Sequence, residues 1–441
     1  MKNNYDKKFS IAHMDANTFD NFFLECFENA SEQWRNEIYD IYFGAVFACH
    51  DITYGDTMGR QAGSEQYKNL LKIQEKYGIP ISLTLNEMVR PVEMIRNDVI
   101  KQFIPFIRKY YDDGVRSCTI SHVHLMAKGA LQSAFPDMIW KNTVNHAISS
   151  TQEMVDYAAL GYNTIQLDRK FNRNLNELKR TKKEADRLGV KTCLLIREAC
   201  MPECPFKTEH DVWQGGKYLR QTGLSYWDVA GGMSCNSWLS RPAGQLGPNE
   251  QHLKEKDKAV FNPRTATDIL VHSKEDWDDF ADNVDIFKLA GRHRGPNSQM
   301  TKNAFGYFFE MWKDPEKQHE WPERVNTNMF KTSSFKEIYE NNLAPLFMWF
   351  SRDTYDANYP LVTDIDKIKE GIANHFWNRE EGKHLCKTLK RCKNQCYACH
   401  ECDDLFGTGR VDSILKFEKR LFTPPWPFDK ESLTRKDNFM T

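Results

Sequence analysis

Short apolar runs rich in β-branched and aromatic residues alternate along much of the chain with longer segments whose apolar positions recur at helical spacing. The short runs predict strands at 38–45, 80–86, 117–121, 140–145, 164–167, 192–196 and 286–290. The longer segments predict helices at 64–77, 98–112, 150–160 and 174–188. Two of these helices run into a glycine, Gly161 and Gly189, and a strand follows within a few residues of each. Strand and helix in turn is the pattern of βα units around a parallel sheet, and it is clearest from Ser149 to Glu198.

The fold class expected is therefore α/β, a TIM-like (β/α) barrel, with an open doubly wound sheet as the alternative. Seven strands are visible, and an eighth is expected near 344–350. The alternation lapses after Ile196 in a mixture of Pro, Gly, Asn and Trp, and resumes at Ile286. That divides the chain into a barrel over 1–314, with an insertion at about 199–284, and a cysteine-rich helical appendage over 315–441.

Composition narrows the partners. With 60 Lys and Arg against 61 Asp and Glu in 441 residues, no overall field draws the chain to a polyanion or an acidic membrane, though a local basic groove would still admit nucleic acid. The first residues are polar, and no apolar run reaches the length of a signal peptide or a membrane span, so a cytoplasmic location without membrane attachment is expected. In that reducing setting 12 cysteines point to metal ligands or catalytic groups before disulfides.

Their distribution sharpens this. Cys200 and Cys204 follow the strand ending at Ile196, where a barrel strand delivers residues to the catalytic face, and Cys235 returns from the insertion as a third thiol. The second group, Cys392-x3-Cys396-x2-Cys399-x2-Cys402, suits one iron-sulfur cluster or one zinc ion. Its first three members also reproduce the spacing of the radical S-adenosylmethionine triad, although they lie beyond the barrel. For the isolated Cys26, Cys49, Cys118 and Cys193, core packing is the default.

Polar residues gather where strands are expected to end: Asn145 and His146, then Asp168, Arg169, Asn172 and Arg173, then Lys288 and Arg292. A lysine at 288 facing a barrel interior needs an anionic partner, and an arginine at a strand end suits carboxylate or phosphate. Lys288, Arg292, Arg169 and His146 are the candidate catalytic or anion-contacting residues. Neither a G-x-S-x-G elbow, an H-E-x-x-H pair nor a phosphate loop is found.

The stretch Asn145-His146-Ala147-Ile148-Ser149-Ser150-Thr151-Gln152, then Asp168-Arg169-Lys170-Phe171-Asn172-Arg173, Glu198-Ala199-Cys200-Met201-Pro202-Glu203-Cys204-Pro205 and Phe287-Lys288-Leu289-Ala290-Gly291-Arg292, resembles the peptidase U32 family. The resemblance spans roughly residues 80 to 295 and implies a TIM-like barrel with a [4Fe-4S] cluster on Cys200, Cys204 and Cys235. It further implies oxygen-independent hydroxylation or a related redox modification of a small molecule or RNA base, with a small anionic substrate or oxygen donor. Prephenate is implicated as that donor in some branches. The alternatives are a U32-type peptidase, a cluster-bearing subunit that works with a protein partner or redox donor, and a radical S-adenosylmethionine-like enzyme. A second cluster, or zinc, is expected at Cys392, Cys396, Cys399 and Cys402.

Overall fold

A computed structural model of the chain describes residues 8–13, 24, 27–28, 32–57, 61–196, 207–213, 274–289, 380–393, 395 and 397–399. Its centre is a closed barrel of eight parallel strands. In chain order these are β1 (Phe9–Ala12), β2 (Ile38–Gly44), β5 (Ile81–Leu85), β6 (Ser117–Ile120), β7 (Ile139–Lys141), β8 (Thr164–Gln166), β9 (Lys191–Ile196) and β10 (Ile286–Leu289). The antiparallel hairpin β3 (Val46–Cys49) and β4 (Ile52–Gly55) sits between β2 and the helix that follows it.

Seven of the barrel strands fall where the hydrophobic runs predict them. The eighth is a correction: it is Phe9–Ala12, which closes the barrel through Phe9↔Phe287 and Ser10↔Lys288 on one side and joins β2 on the other. The segment 344–350 lies outside the described residues. Prediction also overextends the run at 140–145, because β7 stops at Lys141 and Thr143 then caps a 3-10 turn, its hydroxyl accepting from the Asn145 amide.

The described helices are α1 (Glu32–Asn36), α2 (Ser64–Tyr77), α3 (Asn97–Asp112), α4 (Val123–Ala127), α5 (Ala130–Ala134), α6 (Thr151–Ala159), α7 (Leu175–Leu188), α8 (Lys207–Trp213), α9 (Lys274–Ala281) and α10 (Glu380–Leu389). Their ends follow local chemistry. Ser150 caps α6 by accepting from the Glu153 amide, Asn174 caps α7 by accepting from the Glu177 amide, and α7 stops at Gly189 with φ 68°, a left-handed conformation that glycine adopts without a Cβ clash. On α3 the buried positions Val99, Ile100, Phe103, Ile107 and Tyr110 form one apolar stripe. They join Ile41, Phe43, Ile81, Leu83 and Leu85 of the strands in an apolar shell between barrel wall and helices.

No helix among the described residues is long and apolar enough to cross a membrane.

Candidate functional site

The inward faces of the strands are polar. Strand alternation sends Ile81, Leu83 and Leu85 to the shell and leaves Ser82 and Thr84 facing the axis, and the same division puts Ser117 and Thr119 of β6 inside. At mid-barrel Lys141 pairs with Asp40 and also donates to the Ser82 hydroxyl at 3.3 Å, while the Ser10 hydroxyl donates to the second Asp40 oxygen at 2.5 Å. Burial pulls the Lys141 ammonium down, yet the charge of Asp40, the neighbouring Tyr39 and Cys193, and the hydrogen bond to Asp40 together outweigh it and hold Lys141 above its ordinary value. A bulge between the Phe9↔Ile38 and Ser10↔Asp40 pairs lets Tyr39 reach the same interior, where its ring meets Lys141 and Lys191 at 5.3 and 4.9 Å.

Above this layer sits Lys288. Its ammonium donates to Gln166 Oε1 at 3.1 Å and lies 4.4 Å from the centre of the Tyr42 ring. Gln166 is itself fixed, because its amide donates to Asn142 Oδ1 and its side-chain nitrogen donates to the Asn142 carbonyl. Cys193 lies in the field of both lysines; burial pushes its thiol up to about 12, against the pull of Lys288 and Lys141. It is therefore a protonated thiol at neutral pH. The core-packing expectation describes its burial but not its setting, which is the polar interior; Cys118 and Cys49 are buried members of the apolar shell.

At the C-terminal mouth the hairpin acts as a brace. Tyr54 of β4 donates to the Leu85 carbonyl at 2.8 Å and accepts from the amides of Ser121 and His122, joining the ends of β5 and β6. Two histidines stand after neighbouring strands and differ. His122 is satisfied at both nitrogens, by the Pro91 carbonyl at 2.9 Å and the Leu125 amide at 3.3 Å. His146 donates from Nε2 to the Ser121 carbonyl at 2.8 Å, which leaves Nδ1 as a buried lone pair without a partner among the described residues. Burial holds the His146 imidazole down to about 4, with Arg90 and Lys207 adding to the effect, so it is neutral at pH 7.

Arg169 is buried, on the 3-10 turn after β8. Asp168 caps that turn by accepting from the Lys170 amide at 2.9 Å, and Asn172 ties it to β9 through the Leu195 carbonyl at 3.0 Å. The candidates thus divide. Lys288 touches Gln166, three residues before Arg169, whereas the contacts of His146 run to Ser121, Tyr157 and Tyr162. Arg292, Cys200, Cys204, Cys235, Cys396 and Cys402 lie outside the described residues.

Of the tail cysteines, Cys392 is partly exposed and Cys399 exposed. Both line one groove, and no group of three or more potential metal ligands forms among the described residues. The tail also docks on the barrel. Leu175 donates its amide to the Lys390 carbonyl at 2.9 Å, Cys392 donates to the Arg173 carbonyl at 3.2 Å, and Asn174 and Arg391 form an antiparallel bridge. Cys392, the first of the second cysteine group, is thereby attached to the turn that carries Arg169.

No family model and no curated protein matches the chain. Solved structures do match it, at low sequence identity. The U32 peptidase Mk0906 is 11% identical with a TM-score of 0.38, over 67% of this chain and 96% of that one. An alpha-amylase from Lactobacillus plantarum is 8% identical with a TM-score of 0.27, over 48% and 69%, respectively. The carboxyl transferase domain of Rhizobium etli pyruvate carboxylase is 10% identical with a TM-score of 0.30, over 95% and 73%.

Sequence reasoning misses Asp40, Lys141, Tyr42, Gln166 and Arg90. For the first four a signal exists, the apolar–polar alternation of Asp40-Ile41-Tyr42-Phe43, Trp140-Lys141 and Thr164-Ile165-Gln166, because a parallel strand buried on two apolar faces would read as continuous apolar sequence.

Proposed function

We propose that the chain is an iron-sulfur enzyme working at the C-terminal mouth of its barrel, where it modifies a small anionic substrate or an RNA base by oxygen-independent hydroxylation or a related redox reaction. The observation that carries this reading is Lys288, aimed into the barrel by Gln166 and the Tyr42 ring and paired in register with Leu195 of β9. Five residues beyond Leu195 in sequence comes Cys200, then Cys204, so the strand beside Lys288 is the one that leads to the expected cluster ligands.

When bound, a cluster on Cys200, Cys204 and Cys235 would supply electron transfer or Lewis acidity. The chain's own residues do the rest. Lys288 binds a carboxylate or phosphate, with Arg169 and Arg292 as further anion contacts, and so fixes the substrate's orientation. His146, neutral and held at Nε2 by Ser121, offers its Nδ1 lone pair to a substrate hydroxyl or N–H rather than acting as a cationic acid.

Anaerobic purification with iron and sulfide analysis tests the cofactor, and turnover by Lys288→Met tests the site. The expected result is brown protein containing iron and sulfide, and a Lys288→Met variant with normal folding and cluster content but lost turnover. Protein that stays free of iron and sulfide after anaerobic reconstitution overturns the reading. So does peptide cleavage by cluster-free chain, which would make it a U32-type peptidase.

A further inference from the structure

A groove of about 900 Å³ lies between α7 and the docked tail. Lys179 of α7 faces it from one wall, and Lys387, Lys390, Arg391 and Lys393 face it from the other, with His384 one helical turn before Lys387. Against five permanent cations it holds one carboxylate, Asp279, which lies 3.8 Å from Lys179 and 3.1 Å from Lys390. Lys387, Arg391 and Lys393 are exposed and make no ion pair among the described residues. In a chain of net charge −1 this is a local concentration of one sign.

We infer that this groove is a phosphate-binding site, filled by a nucleotide-sized polyphosphate ester or by successive phosphates of a single nucleic-acid strand. Several features select phosphate over a lone carboxylate. Lysine ammoniums serve as point charges without a fixed approach, as the several oxygens of a phosphate require, and Arg391 adds a bidentate fork. Asn176, Thr388 and Gln395 supply neutral hydrogen-bonding groups along the same walls. The volume lies in the range of sites for whole small ligands. The site lies on the barrel's flank and does not depend on the reading of its mouth.

The test is binding of two probes, inorganic tripolyphosphate and a short fluorescent oligouridylate, to the full chain at about 150 mM salt. The triple variant Lys387→Gln, Arg391→Gln, Lys393→Gln should weaken binding at least about tenfold, and its salt slope for the oligonucleotide should fall by about 0.7 for each phosphate that no longer meets a cation. Asp279→Asn acts in the opposite direction and should tighten binding by roughly two- to fivefold, a gain that misfolding would not give. Loss confined to the oligouridylate identifies a strand as the source of the phosphates, loss confined to tripolyphosphate identifies the free ester, and competition between the probes shows that both occupy the one site. Wild-type protein that binds neither probe, or a triple variant that binds both as wild type does, overturns the site.

Discussion

On β5, Ile81, Leu83 and Leu85 point outward and merge with Leu70, Ile73 and Phe103 of the surrounding helices, while Ser82 and Thr84 on the same strand face the barrel axis. The two sides of one wall are held by different forces. Outside, stability comes from removing apolar surface from water, which is insensitive to direction. Inside, where barrels of this kind are ordinarily filled by layers of branched apolar side chains, the chain places serine, threonine, glutamine, tyrosine and an Asp40–Lys141 pair. A buried ion pair contributes little net stability, because desolvation offsets its attraction. Its place beneath Lys288 is better explained by shape and charge, as a rigid polar floor for whatever occupies the mouth.

The contrast can be broken most forcefully from within. Lys141→Met leaves Asp40 buried without its cation and should cost roughly 3–5 kcal/mol in urea unfolding; a drop under about 1 kcal/mol would mean that water already solvates the interior. On the outer face Leu83→Ala should cost roughly 3 kcal/mol through a cavity, with no dependence on pH. Between these stands His146. Its folded value of about 4 lies below the ordinary 6.5, so the unfolded chain binds the proton first as pH falls. Stability should therefore drop by roughly 2–3 kcal/mol between pH 7 and 4.5, and His146→Gln should flatten that part of the profile. The smallest change is expected from replacing both partners, Asp40→Leu with Lys141→Met, which should stay within about 1 kcal/mol of wild type or exceed it. A large destabilisation in that double variant would show that the pair itself stabilises the barrel.

How much of the molecule is legible in its sequence depends on the range of the interaction. Helix ends and strand cores are local, and Gly189, Ser150 and the run Ile81-Ser82-Leu83-Thr84-Leu85 carry them within a few residues. The strand Phe9–Ala12 escapes because four residues after a polar start are too few to show a period. The hairpin escapes because its turn holds His50 at φ 51° with neither glycine nor asparagine to announce it. Lys288 is legible as an inward lysine, since alternation fixes its side, but its neighbours are not: Gln166 is 122 residues away in sequence, and Asp40 lies 101 from Lys141. Charge pairing across a barrel is set by register, which no single strand encodes.

The bridge between Asn174 and Arg391 also imposes a schedule on the chain's manufacture. At about 5–20 residues per second, the ribosome needs roughly 10–40 s between releasing one partner and releasing the other. During that interval the Leu175 amide and the Arg173 carbonyl lack their partners on the tail, and the turn bearing Arg169 waits for its outer wall. A message cut short after β10 would thus yield a chain with every barrel strand present and that turn held by Asp168 and β9 but not by the tail, a product more exposed to proteases at 169–175 than the finished protein.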